Sequence, residues 1–174
     1  MSTKKTALIA ILVAAAFLAG AACKSKSAQE SIVENRLEKA LEKASGGKVD
    51  IDLKGGTLKV KTAEGESVLT TGERKWPEDL PDGAIKLEDV TVQVVSRTAN
   101  EEGKTWTIHI TGVGEGALDG YSEKLRADGW TIAAATTMGS GGSVTATKDD
   151  LQVHVVLAAD GKSGVITFIR KTDE

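Results

Sequence analysis

Residues 48–62 read KVDIDLKGGTLKVKT, and this stretch predicts an antiparallel hairpin. Apolar and polar residues alternate on both sides of Gly55-Gly56, and a period of two residues is typical of a β-strand with one buried face. Two adjacent glycines suit the two-residue turn of a hairpin. Counting outward from that turn places the apolar residues of both strands on one face. The predicted apolar pairs are Leu53 with Leu58 and Ile51 with Val60.

The other face of the predicted hairpin carries charges of opposite sign. The same counting pairs Asp52 with Lys59 and Asp50 with Lys61. Such pairs across a ladder contribute roughly 0.2–1 kcal/mol each to its register. The two aspartates also have the spacing of a cation site or an acid–base pair. Because the predicted pairing accounts for them without a ligand, we expect a structural role.

The segments next to the hairpin extend it into a small first unit. In residues 31–44, apolar side chains recur three and four positions apart, which predicts an amphipathic helix that ends at Gly46-Gly47. Residues 66–71 predict a third strand. The sequence therefore predicts a helix-plus-hairpin unit over residues 31–71.

A proline-containing segment separates this unit from the rest of the chain. The stretch KWPEDLPDG, residues 75–83, contains both prolines of the protein, and proline interrupts helices and strands. We therefore predict a linker over residues 72–83. Trp76 is expected to fill the edge of a hydrophobic core, with an exposed binding tryptophan as the alternative.

Residues 84–174 predict a second unit built from strands and one helix. Alternating apolar residues indicate two strands around residues 90–94 and 106–110, and a helix follows over residues 117–128 with three apolar side chains on one side. These three are Leu118, Tyr121 and Leu125. Four further strands are predicted at residues 130–136, 142–147, 151–157 and 164–170. The order β-β-α-β-β-β-β predicts an antiparallel sheet with one packed helix, and the whole chain is predicted to be an α+β protein.

Two glycine-rich stretches have the form of phosphate-binding loops. Residues 112–117, GVGEGA, fit G-x-G-x-x-A between a strand and a helix, which is the setting of a dinucleotide fingerprint. The preceding strand alternates polar and apolar residues, whereas a buried parallel strand is apolar throughout. Residues 139–142 join two strands without a following helix. We therefore interpret residues 112–117 as a flexible loop and residues 139–142 as a turn, and we expect no nucleotide.

The side chains that carry most enzyme chemistry do not form a recognisable set in this sequence. His109 and His154 both fall on polar positions of alternating strands and are expected to face away from the core. They would share a metal only if their strands were neighbours, and no third ligand is predicted. There is no Ser-His-Asp arrangement and no carboxylate pair placed for glycoside hydrolysis. We expect a protein that is not an enzyme and has no catalytic residue, metal or cofactor.

The N-terminus has the pattern of a secretory signal. Residues 1–22 contain two early lysines, an apolar run over residues 7–19 and a small-residue exit before Cys23, the only cysteine. The apolar run is shorter than the roughly 20 residues of a membrane-spanning helix. Cleavage before Cys23 would allow its lipidation, whereas cleavage after Ala21 would release a protein with a free thiol.

Composition limits the partners of the exported chain. Residues 1–22 contain two lysines and no acids, so the remainder has 20 basic and 25 acidic residues and a net charge of −5. This balance argues against nucleic acid, which requires clustered positive charge. Aromatic residues form only 3% of the chain, which leaves few rings for stacking on bases or sugars.

The chain resembles small bacterial lipoproteins of unknown function, with a lipobox-like signal followed by an α+β envelope domain. The resemblance is carried by Ala21-Ala22-Cys23, the GGKVDIDLKGG hairpin, the WPEDLPDGA linker and the YSEKLRADGW helix end, although Gly20 stands where such signals have a bulky residue. It implies lipid attachment at Cys23, a polar tether over residues 23–30 and an outer-membrane location facing the periplasm. We expect a non-enzymatic binding or assembly role, with an envelope protein as partner. The alternative is a binding protein for a small apolar ligand held between Tyr121, the helix and the sheet.

Overall fold

A computed structural model describes Lys39 and residues 50–54, 56–63, 65–72 and 74–172. Within residues 50–172 the chain forms nine β-strands and one α-helix. The strands before the helix are β1 (Asp50–Lys54), β2 (Thr57–Thr62), β3 (Gly65–Thr71), β4 (Thr91–Asn100) and β5 (Gly103–Thr111). The remaining elements are α1 (Ala117–Ala127), β6 (Thr131–Met138), β7 (Gly141–Lys148), β8 (Leu151–Leu157) and β9 (Ser163–Lys171).

All nine strands of the described chain belong to one antiparallel sheet, in the order β1-β2-β3-β4-β5-β9-β8-β7-β6. The predicted α+β class is therefore wrong. The finding that overturns it is the pairing of β3 with β4, from Gly65↔Asn100 to Thr71↔Val94. This pairing joins the strands on both sides of the predicted linker into one continuous sheet, and residues 50–172, as far as they are described, are predominantly β with one short helix.

The hairpin of β1 and β2 has the predicted register. Leu53 pairs with Leu58 and Ile51 with Val60, while the charged pairs are Asp52↔Lys59 and Asp50↔Lys61. Leu58 is buried, whereas Lys59 and Lys61 are exposed. The two faces of β2 therefore differ in burial as the period of two predicts.

The hydrophobic core lies on one face of strands β4 to β9. Alternate residues of β4, β5, β7, β8 and β9 are buried there, including Val95, Ile108 and Phe168, as expected for antiparallel strands with one face on a core, whereas β6 contributes only the partly buried Ile132. Helix α1 covers part of this face with Leu118, Tyr121 and Leu125, the residues that its sequence pattern predicts. The remaining cover comes from the segment between β3 and β4, residues 74–90. Its core-packing residues are Trp76, Leu80, Ala84, Ile85, Leu87 and Val90.

The segment 74–90 is held to the sheet by Asp79. Both carboxylate oxygens of Asp79 lie 3.0 Å from Nε of Arg97, and Nε1 of Trp106 donates to Oδ2 at 3.2 Å. Arg97 and Trp106 are paired residues of β4 and β5. Partial burial acts to raise the pKa of Asp79, but hydrogen bonds from Arg97 and Trp106 and the nearby guanidinium outweigh it, so this pKa lies below its usual value.

Several predictions concern parts of the chain outside the described residues. These are the signal over residues 1–22, Cys23, the tether over residues 23–30 and the helix over residues 31–44, of which only Lys39 is described. The division into units at residues 31–71, 72–83 and 84–174 also stays a prediction. Of the helices in the described part of the chain, none has the length and apolar character needed to cross a membrane.

Candidate functional site: a cleft between the helix and the outer strand

A cleft of about 330 Å³ separates α1 from strands β6 and β7. We call it the α1–β6 cleft. One wall is formed by α1 and the other by β6, with Val144 of β7 at the base. The lining residues are Leu118, Asp119, Ser122, Glu123, Arg126, Ala135, Thr136, Thr137 and Val144. The cleft therefore joins a small apolar floor to a polar helical rim.

The helical wall follows from spacing within α1. Positions 122 and 123 follow position 119 by three and four residues, and position 126 follows them by four and three. All four therefore lie on one side of the helix, next to the apolar side that enters the core. Ser122 is buried, and its hydroxyl donates to the main-chain oxygen of Leu118 at 2.8 Å. Asp119, Glu123 and Arg126 are exposed, and within the described residues none of these three forms an ion pair. Their charges are available to a ligand.

The strand wall depends on the hairpin of β6 and β7. Ala135 pairs with Val144, and because Val144 is in the core, Ala135 faces the same side. Gly142 lets α1 approach: its φ is +143°, and a methyl group there would lie 3.0 Å from Leu118 Cδ2 and overlap the carbonyl oxygen of Thr136. A bulkier residue at position 142 would disturb the pairing of β7 with β6 and the contact of β7 with α1.

The sequence-predicted alternative site, around Tyr121, belongs to the core. Tyr121 is 1% exposed, and its hydroxyl donates to the main-chain oxygen of Ile85 at 2.8 Å. Burial strongly raises the pKa of Tyr121. Tyr121 does not line the α1–β6 cleft, which begins one helical turn earlier at Leu118 and lies beside the outer strand. The helix and the sheet do enclose a cleft, but its lining is mixed rather than apolar.

The glycine-rich stretches lie between elements of the sheet and helix, and the turn predicted in residues 139–142 is confirmed. Residues 112–116 connect β5 to α1, and the N–H groups of Gly112 and Val113 donate to the main-chain oxygen of Lys162. Gly139-Ser140 forms the two-residue turn between β6 and β7, with a φ of +63° at Gly139 that glycine tolerates.

The two histidines face solvent, as their strand positions predict. His109 of β5 and His154 of β8 are both exposed. Their strands are not neighbours, because β9 lies between them. In the described part of the chain, no group of three or more His, Cys, Asp or Glu side chains is placed to hold a metal ion.

Comparison with known proteins gives one similarity, and it falls on this region. Residues 119–164 match a START domain-like family model. The match covers 46 of the 174 residues. No curated protein and no solved structure matches the chain. The matched residues run from α1 through β6, β7 and β8 to the start of β9, and they include every lining residue of the cleft except Leu118.

The cleft residues are the part of the site that the sequence analysis missed. The apolar side of α1 predicts its contact with the core but not the cleft. A signal was present in the polar spacing of residues 119, 122, 123 and 126, but a polar helical stripe usually indicates a solvated surface. Only the position of α1 over β6 and β7 distinguishes these residues from a polar helix surface that contacts solvent alone.

Proposed function

We propose that this protein is a non-enzymatic binding protein of the bacterial cell envelope that holds its ligand in the α1–β6 cleft. The observation that carries the proposal is the coincidence of the cleft with the START domain-like match, since that match suggests a ligand-binding fold. A concave site beside a sheet, with an apolar base and a few polar groups, is the usual form of a ligand pocket.

The lining limits the chemistry of the ligand. Leu118, Ala135 and Val144 offer room for a small aliphatic group, and Thr137 adds a hydroxyl at the strand side. Asp119, Glu123 and Arg126 place charges of both signs on the helical rim. A ligand with an aliphatic part and at least one charged or hydrogen-bonding group therefore fits the cleft better than a purely apolar one.

The proposal includes attachment of the protein to a membrane through lipid on Cys23. The support is the signal pattern of residues 1–22 and the position of the only cysteine directly after it. Several acyl chains on one residue suffice for stable anchoring, because each buried CH₂ contributes about 0.8 kcal/mol. The outer membrane facing the periplasm is the proposed location. The net charge of −5 argues against nucleic acid as the ligand.

Chemical-shift mapping tests the binding site directly. Residues 24–174, labelled with ¹⁵N, would be titrated with a library of small organic fragments that includes aliphatic amines and aliphatic acids. We expect the largest amide shifts at α1 and β6, in the residues that line the cleft. Binding that shifts only residues elsewhere, or a library that shifts no amide, would contradict the proposed site.

A further inference from the structure

The strand that forms one wall of the cleft is also an outer strand of the sheet. Strand β6 pairs with β7 on one side, and no described residue pairs with its other side. All eight of its residues are uncharged, and all except Ile132 are exposed. Met138, at its end, is 69% exposed. Proteins commonly protect such an edge with lysine or proline, and β6 contains neither.

The geometry of the β6–β7 hairpin identifies the unpaired main-chain groups. The two-residue turn closes on the pair Met138↔Gly141, and the regular pairing continues to Ala134↔Thr145 before a bulge. In an antiparallel ladder, residues that bond to the neighbouring strand alternate with residues whose N–H and C=O point away. Counting from the closing pair, which is hydrogen-bonded in a two-residue hairpin, directs the N–H and C=O groups of Ala135 and Thr137 outward. Both residues line the cleft.

We propose that the α1–β6 cleft takes an extended peptide segment of a partner protein, which adds to the free edge of β6 as a further strand. This inference rests on the proposed function and names the class of its ligand. Strand addition at an exposed sheet edge draws affinity from main-chain hydrogen bonds and specificity from pockets for alternate side chains. Here Ala135 and Thr137 supply the main-chain groups, and α1 and Val144 supply the pocket beside them.

The cleft also defines the side chains of the peptide. Alternate residues of an added strand point to the same side, so positions i and i+2 both face the cleft. The floor formed by Leu118 and Val144 suits an aliphatic side chain at position i. The helical rim carries two carboxylates, Asp119 and Glu123, against the single guanidinium of Arg126, so it favours a lysine or arginine at position i+2. The partner segment is thus an extended strand with an aliphatic and a basic residue two positions apart.

Backbone methylation of a bound peptide tests strand addition. A phage-displayed library of random peptides would be selected against residues 24–174, and the best peptide would be resynthesised with one N-methyl amide at each position in turn. We expect methylation to weaken binding about tenfold at every second position and to have little effect at the positions between. A uniform response, or a library that yields no binding peptide, would overturn the proposal.

Charge variants test the side-chain chemistry. Glu123→Gln is expected to weaken the selected basic peptide several-fold, and the loss should shrink at high salt. The matched control is Glu101→Gln, an exposed acid at the β4–β5 turn that is remote from the cleft. Equal affinity of the two variants would contradict the assignment of the basic residue to this rim.

Two outcomes separate this inference from the proposed function. If fragments shift the cleft amides but no peptide is selected, the peptide inference fails and the binding site stands. If neither fragments nor peptides shift the cleft amides, the peptide inference and the proposed function both fail.

Sedimentation of the protein alone tests whether a second copy occupies the edge of β6. A concentration-dependent dimer that Ala135→Pro abolishes would show that it does, and this result would overturn the proposal of a partner peptide.

Discussion

At the scale of single residues, Asp79 shows how one side chain fixes a long segment. Its carboxylate accepts hydrogen bonds from Arg97 and Trp106 on two neighbouring strands, while the rest of residues 74–90 packs on the core. The linker motif thus has a structural role. Both prolines, Pro77 and Pro81, are buried within it.

Replacement of Asp79 by Asn is therefore expected to cost about 1 kcal/mol of unfolding free energy at pH 7, a figure reduced because the carboxylate is half exposed. Since its folded pKa is lowered, the contribution of Asp79 is present above the usual value of 3.8 and is lost as the pH falls through the lowered pKa. Urea unfolding at pH 7 and pH 3 measures both effects. Asp79→Asn should differ from the wild type at pH 7 and approach it in acid. The neighbouring Glu78→Gln is the control, and an equal loss in the control would refute the role of Asp79.

The buried Tyr121 predicts how the stability of the protein changes at alkaline pH. Because burial raises its folded pKa above the usual value of 10, folding favours the protonated phenol. The stability that it contributes is fully present below pH 10 and declines as the pH rises further. In urea unfolding at pH 8 and pH 11, the wild type should lose more stability than Tyr121→Phe. At pH 8 the free energy of unfolding of the variant should be about 1 kcal/mol lower than that of the wild type, because the main-chain oxygen of Ile85 loses its hydrogen-bond donor. A parallel pH dependence of both proteins would contradict the burial of an intact phenol.

At the scale of elements, the fit of α1 against the β6–β7 hairpin depends on Gly142. Its φ of +143° is a conformation that other residues rarely adopt, and a methyl group would overlap the carbonyl oxygen of Thr136. Gly142→Ala should therefore destabilise the protein by roughly 1–3 kcal/mol. Gly120→Ala, in the middle of α1 with open space around the added methyl group, is the matched control and should stabilise by about 0.5–1 kcal/mol. Thermal unfolding of both variants measures the difference, and a neutral Gly142→Ala would contradict the close fit of Gly142 against β6 and α1.

The individual elements were predictable because their signals are local. The period of two, the glycine pair at residues 55–56 and the charge pairs determine the β1–β2 register within fifteen residues of sequence. The core side of α1 follows in the same way from Leu118, Tyr121 and Leu125. The sequence does not say which strands stand side by side. The cleft, formed by α1 and β6 together, is therefore a property of packing that no single stretch encodes.

At the scale of the whole molecule, the error in fold class has the same origin. Strand β3 could end a small unit or continue into a larger sheet, and both are compatible with its alternating residues. Its neighbour β4 follows after the nineteen residues 72–90, a connection that interrupts the pattern. The proline-containing segment looks like a linker in sequence because it is irregular. In the structure it is a cover for the core, held by Asp79 and by the Tyr121 hydroxyl at Ile85.

The proposed anchoring also belongs to this scale. If lipid on Cys23 attaches the protein to a membrane, radiolabelled fatty acid should label the wild type in cells, and Cys23→Ala should remain unlabelled and appear in the soluble fraction. Labelling that survives the substitution would end this part of the proposal. Binding by residues 24–174 in solution would be unaffected by either result.

The most direct test of the proposed function is to fill the α1–β6 cleft with a large side chain and to measure ligand binding. Ala135→Trp places an indole among the lining residues, whereas Thr147→Trp adds the same group at an exposed position of β7 outside the cleft. The dissociation constant of the best fragment or peptide would be measured by calorimetry for both variants, with their folding checked by circular dichroism. We expect Ala135→Trp to weaken binding at least tenfold and Thr147→Trp to match the wild type. Unchanged affinity in a folded Ala135→Trp protein would show that the ligand binds elsewhere.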